Sequence, residues 1–222
     1  EKQKTIVSPV SISGNGLHTG LDVNLRFLPA PVNHGVKFKR VDIEGQPIVD
    51  ANCDFVLDTN RGTSIGNNGA EVGTVEHVMA AITGMNIDNI LVEIDNFEMP
   101  IKDGSSKFFT EALQKAGVID QEEEKKVITI DKVLTYYDPE KKVEIMAIPA
   151  DEYKVSVMID FDTEVLSTQN ASLDSLADFN KEISVCRTFV FLHELEYLLS
   201  NNLIKGGDLN NAIVFVNRAV NQ

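Results

Sequence analysis

Thr74-Val-Glu-His-Val-Met-Ala-Ala-Ile-Thr-Gly-Met-Asn-Ile-Asp-Asn-Ile-Leu-Val-Glu-Ile94 changes its period part-way along. In its first half Val75, Val78, Met79 and Ile82 stand at i, i+3, i+4 and i+7, the stripe of a short amphipathic helix, with Thr74 placed to cap its start and Gly84 to end it. In its second half Asn89 to Ile94 is an apolar run suited to a buried strand. A helix that feeds a strand, in a half otherwise rich in strand signals, points to an α+β fold.

Upstream, Thr5 to Ser13 has the β-branched alternation of a strand, and Gly14-Asn-Gly16 ends it with residues that tolerate positive φ. Val23 to Leu28 and Val36 to Val41 read as further strands separated by Pro29-Ala-Pro31, and Gly66-Asn-Asn-Gly69 supplies hairpin chemistry between Thr63–Ile65 and Ala70–Val72. Downstream, Asp103-Gly-Ser-Ser106 leads into a helix from Lys107 to Ala116 that Gly117 ends. The charged stretch Asp120 to Lys126 is the best linker candidate, the alternative being a solvated loop inside one domain. A boundary near 122 then gives two domains, 1–122 and 123–222. In the second, Val127–Tyr137, Val143–Ile148 and Tyr153–Phe161 read as an antiparallel meander. Ser172–Val185 reads as helix, Phe191–Leu199 as a second amphipathic segment and Asn211–Val216 as strand after Gly206-Gly207.

The chain has 222 residues, 43% hydrophobic and 24% charged, the balance of a soluble globular protein. It has no apolar run near the roughly 18 residues that a membrane span needs, and Glu1-Lys-Gln-Lys-Thr5 has no export signal, so a cytoplasmic location is expected. Cys53 and Cys186 are too few and too far apart for a disulfide framework or a CxxC pair. The net charge of -14, with scattered Lys and Arg, argues against a nucleic-acid partner. The chain starts without Met and stops at Gln222 directly after a strand-like run, so a fragment of a longer protein is expected.

Glu76 and His77 lie off the apolar stripe in the first helical turn. There the positive end of the helix dipole favours a carboxylate and disfavours imidazolium, leaving the neutral ring that a metal requires. Such a pair suits metal-assisted hydrolysis, with His77 as ligand and Glu76 as base toward an attacking water. An isolated Glu-His is far more often a capping or packed histidine beside a surface carboxylate. The side shared by His77, Ala80, Ala81 and Gly84 is lined by small residues that let another backbone approach closely.

Gly16-Leu-His-Thr-Gly20, Pro29-Ala-Pro31, Asp58-Thr-Asn-Arg-Gly-Thr63, Thr74-Val-Glu-His77, Gly84-Met-Asn-Ile-Asp-Asn89, Pro100-Ile-Lys-Asp-Gly-Ser105, Arg187-Thr-Phe189 and Gly206-Gly-Asp-Leu-Asn-Asn-Ala212 occur in this order. Together they resemble the UDP-3-O-acyl-N-acetylglucosamine deacetylases, zinc enzymes of lipid A biosynthesis in Gram-negative bacteria. The resemblance implies that Glu76 is the catalytic carboxylate and His77 a Zn2+ ligand. It implies further ligands from a His-Lys-x-x-Asp motif and a catalytic histidine from a His-x-Ser-Gly-His motif. None of His18, His34, His77 and His193 stands in such a context, so these residues alone are expected to be inactive.

The resemblance further implies two similar sheet-plus-helix domains packed face to face, the second incomplete, with a small βαβ insertion at about 190–217. It makes Thr188 the donor to the developing oxyanion, although by itself Thr188 is equally a strand-end hydroxyl. Leu17, His18, Thr59, Phe189, Phe191, Gly207 and Ala212 would contact substrate, His18 in a minor role, and Phe189 to Ile213 would wall an acyl passage that could equally be plain core. Some relatives carry Cys at the position of Gly62, so weaker inhibition by excess zinc is expected here. Asn15 and Arg61-Gly62 resemble Bacteroides-type relatives, in which a C-terminal hydroxyacyl-carrier-protein dehydratase domain is fused. The expected activity is removal of acetate from UDP-3-O-(3-hydroxyacyl)-N-acetylglucosamine. The alternatives are a non-catalytic nucleotide-sugar or protein-binding module on the same fold and a thiol hydrolase built on Cys53 or Cys186.

Overall fold

The computed structural model describes residues 1–201 and 203–216. Strands β1 (Lys2–Ile6), β2 (Val10–Asn15), β3 (Asp22–Pro29), β4 (Val36–Arg40), β5 (Ile48–Asp50), β6 (Val56–Asp58), β7 (Ser64–Asn67) and β8 (Ala70–Val72) precede helix α1 (Glu76–Gly84). Strand β9 (Ile90–Ile94), helix α2 (Lys107–Ala116) and strand β10 (Val118–Glu124) follow. The rest comprises β11 (Leu134–Asp138), β12 (Val143–Ala147), β13 (Val155–Asp160), β14 (Thr168–Leu173), α3 (Phe179–Glu182), β15 (Phe189–Phe191), α4 (Leu192–Ser200) and β16 (Ile213–Phe215). The chain is thus a mixed helix-and-sheet protein.

Its main sheet has the order β2-β3-β9-β4-β5, antiparallel except for the β4–β9 pair. Alternation puts Val23, Leu25 and Phe27 of β3 and Ile90, Val92 and Ile94 of β9 inward with Phe38 of β4, all of them buried. Val78 and Ile82 of α1 and Phe109 and Leu113 of α2 join the same apolar cluster, which among the described residues draws on those between Ile6 and Val118. Truncating a ring such as Phe27 there would cost about 3–5 kcal/mol.

Several expectations are corrected. The run from Thr5 to Ser13 is two strands, β1 and β2, broken around Pro9, which has no N–H to continue a ladder. Thr74 does not cap α1: it stands at φ 56, and its hydroxyl donates to Glu98 instead. Gly84 is the last helical residue rather than the stop; Asn86, at φ 55, takes the left-handed position just beyond. Ala81 faces the core, not an approaching backbone, whereas Gly84 does meet a neighbour, because a β-carbon there would overlap the Phe179 ring.

The charged stretch read as a linker is largely β10, antiparallel to β1. Its acids face lysines across the ladder, with Lys4 Nζ 3.9 Å from Asp120 and Lys2 Nζ 4.0 Å from Glu124, so the charges are cross-strand partners on an exposed edge pair. The expected meander is two separate hairpins, β11–β12 and β13–β14. Ser172–Val185 is not one helix: Ser172 and Leu173 end β14, Ser175 caps a 3₁₀ turn by accepting from Ala177 N–H, and only the single turn α3 follows. β15, α4 and β16 form a parallel βαβ unit. The expected end of the insertion, Asn217, and the terminal run through Gln222 lie outside the described residues.

Candidate active site

Glu76 and His77 open α1 side by side, and both are half-buried. The loop between β6 and β7 folds over them. Thr63 N–H donates to Glu76 Oε2 at 2.9 Å, and a β-carbon on Gly62 would sit 3.5 Å from Glu76 Oε1 and 3.8 Å from His18 Nε2. Burial pushes the His77 imidazole below the usual histidine range, against the carboxylates of Glu76 and Asp103, which favour the charged ring. The ring is therefore neutral near pH 7, the form able to ligate a metal.

Asp103 is held by Ser105, whose N–H and hydroxyl donate to Oδ1 at 3.1 and 2.6 Å. Its main chain anchors the segment that bears Thr188. Arg187 Nε donates to Asp103 O at 2.7 Å, and Thr188 N–H donates to Gly104 O at 2.7 Å. Gly104 is required at this crossing, because a β-carbon would overlap Asn211 O and lie 3.0 Å from Thr188 Cγ2. Thr188 thus sits one main-chain contact from Asp103, whose charge reaches His77.

A buried carboxylate organises the other side. Glu98, 1% exposed, accepts from His18 N–H at 2.9 Å, Thr19 N–H at 2.8 Å and the Thr74 hydroxyl at 3.1 Å. These bonds fix the Gly16–Gly20 loop and offset the strained φ of Thr74 immediately before the helix. Gly16 has no room for a side chain, since a β-carbon would lie 2.9 Å from Glu98 Cδ. Loop 204–207 docks on the same turn: Gly206 N–H donates to Leu17 O at 3.0 Å and Lys205 N–H to His18 O at 3.3 Å.

Beyond that turn stands a wall of rings. Phe189 meets Phe161 and Phe215 at 5.4 Å between centroids and Phe191 at 6.0 Å, all edge-on, while His193 stacks on Phe191 at 5.6 Å. Phe191 is buried, Phe189 partly open, and Ala212 half-buried beside β16. A cavity of about 480 Å3 opens between Asn15, Gly20, Asp103, Phe108, Gly206 and Asn211.

Leu17 and His18 thus carry loop 204–207 on their carbonyls and Thr188 rests on Gly104, while the His18 ring is hydrogen-bonded to Arg61 O at 3.2 Å, in the loop whose Thr63 N–H holds Glu76. Thr59 is exposed on the loop before Gly62, and Gly207 is exposed with its N–H on Ile204 O. Sequence reasoning missed Glu98 and Asp103 as individual site residues. The available signals were a lone acid inside the apolar run Phe97 to Ile101 and the Asp-Gly-Ser turn. Among the described residues no group of three His, Cys, Asp or Glu could hold a metal ion; Cys53 and Cys186 are free and exposed.

The geometry defines a class: a mixed α/β protein that sets an acid–imidazole pair at a helix start beside an aromatic-walled βαβ unit. The chain belongs to the LpxC family, whose model, described as UDP-3-O-acyl N-acetylglycosamine deacetylase, matches residues 3–222. It is 44% identical over 222 residues to the bifunctional enzyme LpxC/FabZ of Porphyromonas gingivalis, covering 100% of this chain and 48% of that protein. It is 42% identical over 221 residues to the enzyme of the same name from Bacteroides thetaiotaomicron, covering 100% and 48%. The UDP-3-O-acyl-N-acetylglucosamine deacetylase of Myxococcus xanthus is 42% identical over 213 residues, covering 96% and 67%. The chain thus spans about half the length of the bifunctional relatives. No helix among the described residues is long and apolar enough to cross a membrane.

Proposed function

We propose that these residues carry the carboxylate half of a zinc-dependent deacetylase that removes acetate from UDP-3-O-(3-hydroxyacyl)-N-acetylglucosamine in the cytoplasm. The single observation that carries this reading is the pairing of Glu76, held by Thr63 N–H, with a His77 ring kept neutral by burial. Family membership and the deacetylase names of relatives support the substrate class.

His77 fits a zinc ligand chemically but cannot close a site alone, so the remaining donors are assigned to residues outside this chain. Zinc, when bound, supplies Lewis-acid polarisation of the acetamido carbonyl and acidifies water. Glu76 takes the proton from the water that attacks the carbonyl carbon. The Thr188 hydroxyl donates to the developing oxyanion, a role in which one fixed donor contributes roughly 3 kcal/mol. The carbon–nitrogen bond then breaks, and acetate leaves as the nitrogen takes up a proton. Leu17, His18, Thr59, Phe189, Phe191, Gly207 and Ala212 are assigned to the substrate, the rings to its acyl chain.

The domains are assigned as 1–122 and 123–222, two sheet-plus-helix units face to face with the second completed by later sequence. A dehydratase domain downstream in the full-length protein accords with the two-part names and greater length of the relatives. Residues 1–222 alone should bind zinc weakly and release negligible acetate. Acetate release by the full-length protein, abolished by a chelator and restored by zinc, tests the proposal. Tight binding of the UDP-sugar without any metal-dependent release would favour a binding module instead.

A further inference from the structure

We propose that Arg61 and Glu194 form a clasp that holds the aromatic wall of the βαβ unit against the loop covering Glu76, and so position the acyl-bearing part of the substrate. The inference rests on the deacetylase reading for the identity of the substrate, not for the clasp itself.

Arg61 Nη2 lies 3.0 Å from Glu194 Oε1, a contact between residues 133 positions apart in the chain. Each partner is tied to a functional element by a second bond. The Arg61 carbonyl is held by the His18 ring at 3.2 Å, and two residues on Thr63 N–H binds Glu76. The other Glu194 oxygen accepts from Phe191 N–H at 3.2 Å, at the junction of β15 and α4 where the ring wall is anchored. One carboxylate thereby links the start of α4 to the loop over the proposed base, Glu76.

Among the described residues, the other hydrogen bonds that dock this region are made by main-chain groups or accepted by them. Thr188 N–H meets Gly104 O, Gly206 N–H meets Leu17 O, Lys205 N–H meets His18 O, and the Arg187 guanidinium bonds only carbonyls. Among the described residues, the Arg61–Glu194 contact is the one ion pair joining the βαβ unit to the first 126 residues. Its side chains are 48% and 29% exposed, so its strength responds to salt. Burial would raise the Glu194 carboxyl, but the hydrogen bonds from Arg61 and Phe191 N–H and the charges of Arg61 and His193 hold it below the usual carboxylate range. Arg61 stands at φ 62, a left-handed conformation in the loop that also carries Gly62 and Thr63.

The test uses full-length protein with Arg61→Ala, Arg61→Lys, Glu194→Ala and the exchanged pair Arg61→Glu/Glu194→Arg. Each single alanine variant should raise KM for the 3-O-acylated substrate about three- to ten-fold, with kcat within about two-fold of wild type. Arg61→Lys and the exchanged pair should recover most of that loss. Hydrogen exchange across residues 189–198 should quicken in Arg61→Ala and Glu194→Ala, whatever the protein's activity. Unchanged KM in both alanine variants, or an exchanged pair no better than either, overturns the positioning role. Unchanged exchange overturns the clasp even if the wild type proves not to be a deacetylase, whereas quickened exchange without deacetylation would sink only the reading of the substrate.

Discussion

Thr63 and Glu76 are joined by a 2.9 Å hydrogen bond from the Thr63 main-chain N–H to Glu76 Oε2, across the loop that also carries Gly62 and Arg61. The bond comes from backbone, so it fixes the orientation of the carboxylate without competing for it as a base with a charged partner. The other oxygen, Oε1, lies on the side of Gly62, where the proposed mechanism needs the attacking water.

Gly62 leaves open the space beside that oxygen. Gly62→Cys would place a thiol next to Glu76 and within reach of His18. Zinc titration of full-length protein should then show inhibition at lower added zinc than wild type, and calorimetry should show a second zinc bound. Equal inhibition of the two proteins would contradict this.

Glu98 holds the turn under His18 from within. Glu98→Ala leaves two main-chain N–H groups and the Thr74 hydroxyl unpaired in a buried site, at a cost of about 2–4 kcal/mol. Urea unfolding measures it. A loss below about 0.5 kcal/mol, the size of an ordinary surface change, would mean that the turn does not depend on this carboxylate.

Gly84 and Phe179 are packed so closely that a side chain is excluded. Gly84→Leu should cost roughly 1–3 kcal/mol through overpacking and lower the melting temperature. A variant as stable as wild type would show that α3 moves freely off α1.

Much of the fold can be read from local pattern. The stripe of Val75, Val78 and Ile82, the alternation through β3 and the Gly117 stop all act within a few residues, and each appears where its pattern puts it. Errors fall where a distant partner decides. Asp120 to Glu124 reads as part of a linker until Lys2 and Lys4 are set opposite, and Thr168 to Leu173 becomes strand because β13 is there to pair with. At the site, the Glu76-His77 pair is legible as adjacent residues in the first turn of a helix, whereas the neutrality of His77 comes from burial by distant segments. The roles of Glu98 and Asp103 arise only from folding, since their partners lie on other segments.

The pH response of the clasp has a definite sign. The folded-state pKa of Glu194 is depressed, so its contribution is present above the ordinary carboxylate range and is lost as pH falls below that range through the lowered pKa. Protection across residues 189–198, taken relative to the intrinsic exchange rate at each pH, should therefore fall in acid for wild type. Glu194→Ala should lack that step, and an identical acid profile in the two proteins would contradict the assignment.

The most direct test of the proposed chemistry is turnover of full-length Glu76→Ala on the acylated UDP-sugar, with zinc content measured on the same sample. The predicted result is zinc content close to wild type and kcat lower by about 10²–10⁴-fold, the size of a general-base contribution. Undiminished turnover with zinc still bound would remove Glu76 from the mechanism.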